Sequence, residues 1–413
     1  MSNNRKTILY LITQSELGGA QRYVLDLANN LQGEFNITVA FGKQDTNGEL
    51  AEKLKIAGIN NYNIPHLKRA ISPIDDFLAL VEIIKLIKKI KPNIIHLNSS
   101  KISILGSIAS LIIKFQVSSF KFQVVYTVHG WVFNEPLPRW LKLFYFWAEK
   151  ITALFKNKII CVSEFDRQIA LTKKIAAALK LITIHNGLAP IEFYSKEEAR
   201  QRIHSVIPAS EPESSVQHHE QVSGLRVKPA MTSNLLIGST GNLYKTKGFE
   251  HLIQAANIIK EKSLILNSKF LILIIGEGPE RKKLEQIIKR CQLQNNFILT
   301  GRINEAAKLL PAFDIYVCSS VKEGLSYTII EAMQAGLPIV ATNVGGNSEL
   351  IEDNITGLLA EAGNAESLAQ KIIELIQNQT LRNKLGQQAK LKAREEFCLE
   401  KMVEETKKAY SSL

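Results

Sequence analysis

The sequence predicts an α/β protein built from two successive parallel-sheet units. Three observations carry this. Short Val-, Ile- and Leu-rich runs alternate with amphipathic helical patterns, the alternation starts again near residue 234, and a proline-containing stretch without apolar period lies between the halves. Alternating strands and helices form βαβ units, and these give a parallel sheet covered by helices on both faces. A chain of 413 residues is long enough for two domains, each with its own core.

Strands are predicted in the first half at 7–12, 36–41, 93–97, 123–128, 158–162 and 181–184, each a short β-branched run. Amphipathic stretches at 20–31, 74–90 and 164–179 supply the helices between them. The second half repeats the scheme, with strands at 235–239, 270–275, 297–300, 315–319 and 338–341. The implied division is a first domain over 1–190, a linker over 191–233 and a second domain over 234–394. A last amphipathic helix, Glu395–Tyr410 within the closing segment 395–413, is expected to cross back onto the first domain. Within the linker, 205–233 reads as a flexible insert by composition, with three prolines and no apolar period. It resembles peptides encoded by palindromic repeat elements inserted into bacterial genes. Its His218 and His219 read as loose, solvated side chains rather than metal ligands.

Composition narrows the function. Apolar residues make up 46% and charged residues 22%, which excludes the disordered and collagen-like classes. The formal net charge of +12 favours anionic partners: nucleotide phosphates, nucleic acid or an acidic membrane surface. Nucleic acid is set aside, because the basic residues are spread among helices without an aromatic platform. Cys161, Cys291, Cys318 and Cys398 lie far apart, without the close pairs of a zinc site or disulfide framework, and read as free thiols in a reducing cytoplasm. The apolar stretches at 7–12 and 102–115 are too short for a signal peptide's core and a bilayer span respectively, so a cytoplasmic protein is expected.

Ligands of open parallel sheets bind beyond the carboxyl ends of the strands, so the loops there are the places to search. After the first strand, Gly18 and Gly19 precede a helix; adjacent glycines admit close approach of a ligand, and a helix N-terminus favours anions. Val128-His129-Gly130 ends another strand and presents a histidine at its carboxyl end. In the second half, 238–248 reads GSTGNLYKTKG, whose glycines, hydroxyls, Lys245 and Lys247 are the ingredients of a pyrophosphate pocket. Most specific is 323–331, EGLSYTIIE, after the strand at 315–319. A helix starting near Ser326 and stopped by Gly336 and Pro338 puts Glu323 in the preceding loop and Glu331 inside the helix. Its free N–H groups near Gly324, Leu325 and Ser326 would face a sugar or phosphate. Two unrelated surface glutamates would satisfy the same spacing.

The ordered set Gly18-Gly19-Ala20-Gln21-Arg22, Val128-His129-Gly130, Val162-Ser163, His185-Asn186-Gly187, Lys247-Gly248, Gly276-Glu277-Gly278-Pro279, Glu323 through Met333 and Val344-Gly345-Gly346 resembles the family-4 retaining glycosyltransferases of the GT-B fold. The resemblance spans nearly the whole chain apart from the insert. It implies two Rossmann-like domains facing across a cleft, a nucleotide-sugar donor held mainly by the second and an acceptor site mainly on the first. It further implies that Glu331 binds the donor ribose, that Glu323 lies beside the sugar, that Lys247 neutralises the diphosphate, that His129 hydrogen-bonds the sugar, and that the Gly18-Gly19 loop covers the phosphates. Asn242 stands where the family commonly has arginine, removing one fixed cation, for which Lys245 is the substitute at hand. With no DxD motif, no obligatory metal and no other cofactor are expected. Synthesis of cell-envelope polysaccharide, lipopolysaccharide or glycolipid is the implied setting.

Leu137–Lys158 crowds Trp140, Phe144, Tyr145, Phe146 and Trp147 among Arg139, Lys142, Lys150, Lys156 and Lys158. Such a helix suits an anionic membrane interface on the cytoplasmic face, where it would present a lipid-linked or glycan acceptor. The alternative is a buried aromatic helix with lysines on its wet side. Two further readings of the chain stand beside transfer: a decayed nucleotide-sugar-binding relic, motivated by the insert and Asn242, and a nucleotide-sugar epimerase, which would need a second acid–base set.

Overall fold

A computed structural model describes residues 5–42, 48–117, 119–206, 235–266 and 269–413. The predicted insert lies outside these except for Ser205 and Val206, and His218 and His219 lie outside with it. The strands of the first half are Thr7–Ile12 (β1), Asn36–Gly42 (β2), Asn60–Ile64 (β3), Ile94–Leu97 (β4), Gln123–Val128 (β5), Lys158–Cys161 (β6) and Leu181–Thr183 (β7). All pair in parallel in the order β3-β2-β1-β4-β5-β6-β7. The intervening helices are Gly19–Leu31 (α1), Glu49–Ile56 (α2), Pro73–Ile90 (α3), Ser100–Gln116 (α4), Arg139–Thr152 (α5) and Glu164–Thr172 (α6).

Helix Lys196–Val206 (α7) leads into the second half, where β8 (Leu235–Thr240), β9 (Phe270–Ile275), β10 (Phe297–Gly301), β11 (Ile315–Cys318), β12 (Ile339–Thr342) and β13 (Leu358–Ala360) follow. They form a second parallel sheet in the order β10-β9-β8-β11-β12-β13. Its helices are Phe249–Leu266 (α8), Arg281–Arg290 (α9), Tyr327–Gln334 (α10), Asn347–Leu350 (α11), Ala365–Gln377 (α12), Gln379–Glu396 (α13) and Leu399–Ser411 (α14).

Three departures from the predicted elements have physical causes. β3 reads NNYNI and pairs only with β2 at the sheet edge, so its mostly polar composition gives no apolar alternation. The helix predicted to run to residue 179 stops at Thr172, because Lys174 takes a left-handed φ of 52° and Ile175 turns into the core. α7 is a docked helix: Lys196 and Arg200 both donate to the Asp314 carboxylate, which also accepts the Leu236 N–H at the start of β8.

The chain passes between the halves twice, and the two passages pair with each other. Leu188 N–H donates to the Phe397 carbonyl at 2.9 Å, and Leu399 N–H returns to the Leu188 carbonyl at 3.1 Å. α14 then lies against α1, and its Tyr410 hydroxyl meets Tyr10 Oη at 3.0 Å and His96 Nδ1 at 2.5 Å inside the first sheet's core. Apolar side chains of α1, α10, α13 and α14 thus belong to one continuous cluster spanning the interface. Parallel strands of both sheets end facing the same cleft, which brings their carboxyl-terminal loops together.

Candidate active site in the interdomain cleft

The loop after β11 is the centre of the cleft. Glu323 Oε1 accepts from Lys247 Nζ at 2.7 Å and from Ser320 Oγ at 2.6 Å. Burial works to lower the Lys247 pKa, but the Glu323 carboxylate outweighs it, and the net shift is upward, so the lysine stays cationic. Gly324 faces the first domain across a gap that only glycine fills: a Cβ there would lie 2.8 Å from the His129 carbonyl carbon and oxygen. Gly346 N–H donates to the Gly324 carbonyl at 2.7 Å, fixing the loop from the other side.

α10 begins immediately after this loop. Ser326 occupies its N-cap position without a side-chain hydrogen bond to the first turn, so those N–H groups carry no side-chain cap. Its far end is closed by Gly336 at φ 72°, a left-handed position that suits glycine. Glu331 is buried on this helix and paired with Arg22 of α1. Burial raises the Glu331 pKa, and the Arg22 guanidinium opposes the shift. Arg22 also lies 5.4 Å from the centroid of the Tyr327 ring, over which Gly19 passes; a Cβ on Gly19 would sit 3.4 Å from that ring. The Gly18-Gly19 loop therefore covers the start of α10 directly.

His129 is partly buried, edge-on to Tyr23 at 4.9 Å, and its Nε2, itself buried, has no hydrogen-bond partner among the described residues. Burial, with the nearby Lys322 charge, pushes its pKa down to about 3, so the ring is neutral near pH 7. A buried imidazole nitrogen with no protein partner is suited to a ligand hydroxyl. His96 lies behind it, held between Tyr410 and Thr127.

Among the residues singled out in the sequence, His129, Glu323, Gly324, Lys247, Gly18, Gly19, Leu325, Ser326 and Glu331 gather at this cleft. Asn242 and Lys245 are exposed, and Lys245 lines a small depression with Glu250 and Glu280 instead of joining Glu323. Four further side chains tie the cleft together, Arg22 and Asn186 named in the sequence only as parts of motifs, and Lys322 and Glu349 not at all. Arg22 reaches Glu331 from 309 positions away, Lys322 crosses the cleft to Glu135 at 2.9 Å, and Asn186 donates to the Leu325 carbonyl at 2.9 Å. Glu349 accepts from His185 Nε2 and from the Glu164 and Phe165 N–H groups at the start of α6, all within 2.9 Å. Beside Glu323 a cavity of about 450 Å³ opens between the domains, with Trp131, Phe133, Lys142 and Asp166 on one side and Lys322 and Gly345 on the other.

Two doubly wound sheets meeting across a glycine-lined cleft, with cations and an uncapped helix start converging there, define a two-domain enzyme for anionic, phosphate-bearing substrates. Residues 17–190 match the family model described as Glycosyltransferase Family 4, and residues 226–392 match Glycosyl transferases group 1. The chain belongs to this family of glycosyltransferases, and its fold is GT-B. A galactosyltransferase of Escherichia coli, UDP-Gal:alpha-D-GlcNAc-diphosphoundecaprenol alpha-1,3-galactosyltransferase, is 28% identical over 401 residues, 95% of this chain and 94% of that protein. CapM of Staphylococcus aureus, a capsular polysaccharide biosynthesis glycosyltransferase, is 24% identical across 84% of this chain and 83% of its own. The crystal structure of Anabaena Alr3699/HepE in complex with UDP-glucose superposes with a TM-score of 0.77 at 19% identity, covering 98% of this chain and 100% of that one.

Proposed function

We propose that this glycosyltransferase moves a sugar from a nucleoside-diphosphate donor to a lipid-linked acceptor of cell-envelope glycan synthesis, with retention at the anomeric carbon. One observation carries the reading: Lys247, Glu323, Glu331, the uncapped start of α10 and the orphaned His129 Nε2 line a single cleft. In the proposed mechanism Glu331 accepts the ribose hydroxyls. Lys247 and the α10 N–H groups stabilise charge on the departing diphosphate, the electrostatic role that dominates such steps. Neutral His129 hydrogen-bonds the sugar through Nε2, and the Gly18-Gly19 loop closes over the phosphates. No protein nucleophile is assigned, and the scheme calls on no metal.

Support for the lipid-linked acceptor comes from α5. Its buried residues are Glu149 and Thr152, while Trp140, Leu143, Phe144, Trp147 and Ile151 are exposed, continuing to Leu154 beyond its end. These positions recur at helical spacing, so the apolar stripe faces outward, opposite to a helix of a water-facing domain. Tyr145 and Phe146 on its inner side pack against the core of the first domain, so the helix carries aromatic side chains on both faces. Lys150 stands over the Phe146 and Trp147 rings, and Lys142 lines the cleft cavity. Among the described residues no helix is long and apolar enough to cross a membrane. The proposal is that α5 lies flat on an anionic cytoplasmic leaflet with the cleft opening beside it. The E. coli relative, named for an undecaprenol-diphosphate acceptor, is consistent with this reading.

Incubating purified protein with UDP-, GDP- and ADP-sugars, and following donor hydrolysis and transfer to prenyl-diphosphate sugars, tests the reading. One nucleotide class should be turned over. Failure with all of them, by folded protein, would sink it.

A further inference from the structure

At the end of α5 remote from the cleft lies a second cavity, of about 280 Å³, lined by Ser110, Lys114, Leu154, Phe155, Asn157 and Lys180. A third lysine at the wall, Lys156, is spent on Glu149, Ser103 and Thr152, whereas neither Lys114 nor Lys180 meets a carboxylate among the described residues. Lys180 Nζ donates to the Ala153 and Leu154 carbonyls, both at 3.1 Å, which uses two of its three protons and holds the ammonium in place. Lys114 Nζ stands 5.2 Å from the centroid of the Phe122 ring. Partial burial lowers the pKa of both groups, and the Lys114 charge lowers that of Lys180 further. Two like charges thus share one cavity wall, neither with a carboxylate partner of its own, since Glu149 is taken by Lys156.

Asn157 completes the set. Its Oδ1 accepts from the Val124 N–H at 2.9 Å, which orients the amide and leaves Nδ2 as a donor with no partner among the described residues. Leu154 at its wall is 72% exposed, and Phe115 and Leu179, the chain neighbours of Lys114 and Lys180, are 82% and 91% exposed. Leu154 is also the last residue of the outward stripe along α5, so the cavity opens where that stripe ends.

We infer that this cavity binds the phosphate of an anionic lipid headgroup. The inference rests on the reading that α5 lies on a bilayer, and it adds a discrete site to that surface. Two ammonium groups and an oriented amide N–H supply donors suited to a phosphate monoanion or diester. Exposed Leu154 at the wall, with exposed Phe115 and Leu179 next to the two lysines in the chain, favours a lipid over free phosphate, because acyl chains would cover these side chains while the headgroup fills the cavity. The occupant also removes the lysine–lysine repulsion that the empty site carries.

Co-sedimentation of the full chain with phosphatidylcholine vesicles, with and without phosphatidylglycerol, provides the test. Lys114→Ala/Lys180→Ala should lose about 10- to 30-fold in affinity for the phosphatidylglycerol vesicles, from two lysines near the surface, and keep wild-type affinity for phosphatidylcholine. A charge-matched control, Lys173→Ala/Lys174→Ala, should lose less than about threefold. Millimolar inorganic phosphate should displace the wild type no better than chloride at equal ionic strength. If the double variant matches the control pair, the headgroup site is wrong; if phosphate displaces the protein specifically, the site takes free phosphate and the inference falls. Trp140→Ala/Trp147→Ala separates the readings: it should weaken binding to both vesicle types. Wild type that binds neither vesicle would overturn the α5 surface itself, whereas vesicle binding untouched by Lys114 and Lys180 would overturn the site alone.

Discussion

Arg22, three residues past the Gly18-Gly19 pair, donates from Nη1 to Oε1 of Glu331 across the interdomain cleft. The contact joins α1 of one domain to α10 of the other, and it engages one of the two carboxylate oxygens proposed to hold the donor ribose. Replacing Arg22 by Ala would leave a buried carboxylate without its cation, whose pKa then rises further. Donor KM should increase about tenfold while kcat changes less, and a donor titration followed by calorimetry checks it. An unchanged donor affinity would mean that the pair only ties the domains together.

Glu331→Gln and Lys247→Ala should each lower kcat/KM for the best donor by roughly 10- to 100-fold, since a charged hydrogen bond contributes about 1.5–3 kcal/mol. Circular dichroism and thermal melts should stay near wild type, as both groups lie on the cleft wall. Near-normal kcat/KM in both variants would remove the donor site from this loop.

Gly324→Ala places a Cβ against the His129 backbone at 2.8 Å, backbone against backbone, where no side chain can yield. The expected result is an opened cleft and a loss of about 100-fold in kcat/KM, the scale of a 1 Å misplacement in a catalytic assembly. Small-angle scattering should report the wider interdomain distance. A fully active Gly324→Ala enzyme would show that the cleft does not need this close approach.

Stability should fall as the pH drops below 6.5. His96 and His129 are both held down to about 3 by burial, while an unfolded histidine titrates near 6.5. Between these values the unfolded chain takes up protons that the native protein refuses, so acid favours unfolding. At pH 5 each ring contributes on the order of 2 kcal/mol to the loss. Urea melts at pH 7.5 and pH 5 should show a drop that is about 2 kcal/mol smaller in His129→Gln. An equal drop in both proteins would mean that His129 titrates normally.

Most strands, and with them the cleft loops, were legible in the sequence because buried parallel strands such as β9, FLILII, are continuous apolar runs that announce themselves. Helix α10 was legible for a different reason: Gly336 and Pro338 mark its end, and that fixed Glu331 inside it. What stayed hidden depends on residues far apart in the chain. Glu349 shows no local sign of its role, since its partners His185, Glu164 and Phe165 belong to the other domain. The orientation of α5 was open as well, because a period of 3.6 reveals an apolar stripe and not the side from which it is covered. The separation of Lys245 from Lys247 was hidden for a related reason: within the short turn Lys245–Lys247 one lysine meets Glu323 and the other lines a depression with Glu250 and Glu280.

The seating of Tyr410 between Tyr10 and His96 bears on how the protein is made. Residues 1–190 leave the ribosome first, and in many multidomain proteins the leading domain folds while the rest is still being synthesised. Here the leading domain's core is incomplete until Tyr410 has emerged, since α14 supplies the hydroxyl that fills it. The nascent first half therefore goes without the Tyr410 partner of Tyr10 and of His96 Nδ1 for more than two hundred residues of elongation, His96 keeping only Thr127. A ribosome stalled before α14 would hold a chain whose first sheet lacks its last partner, a natural target for chaperones.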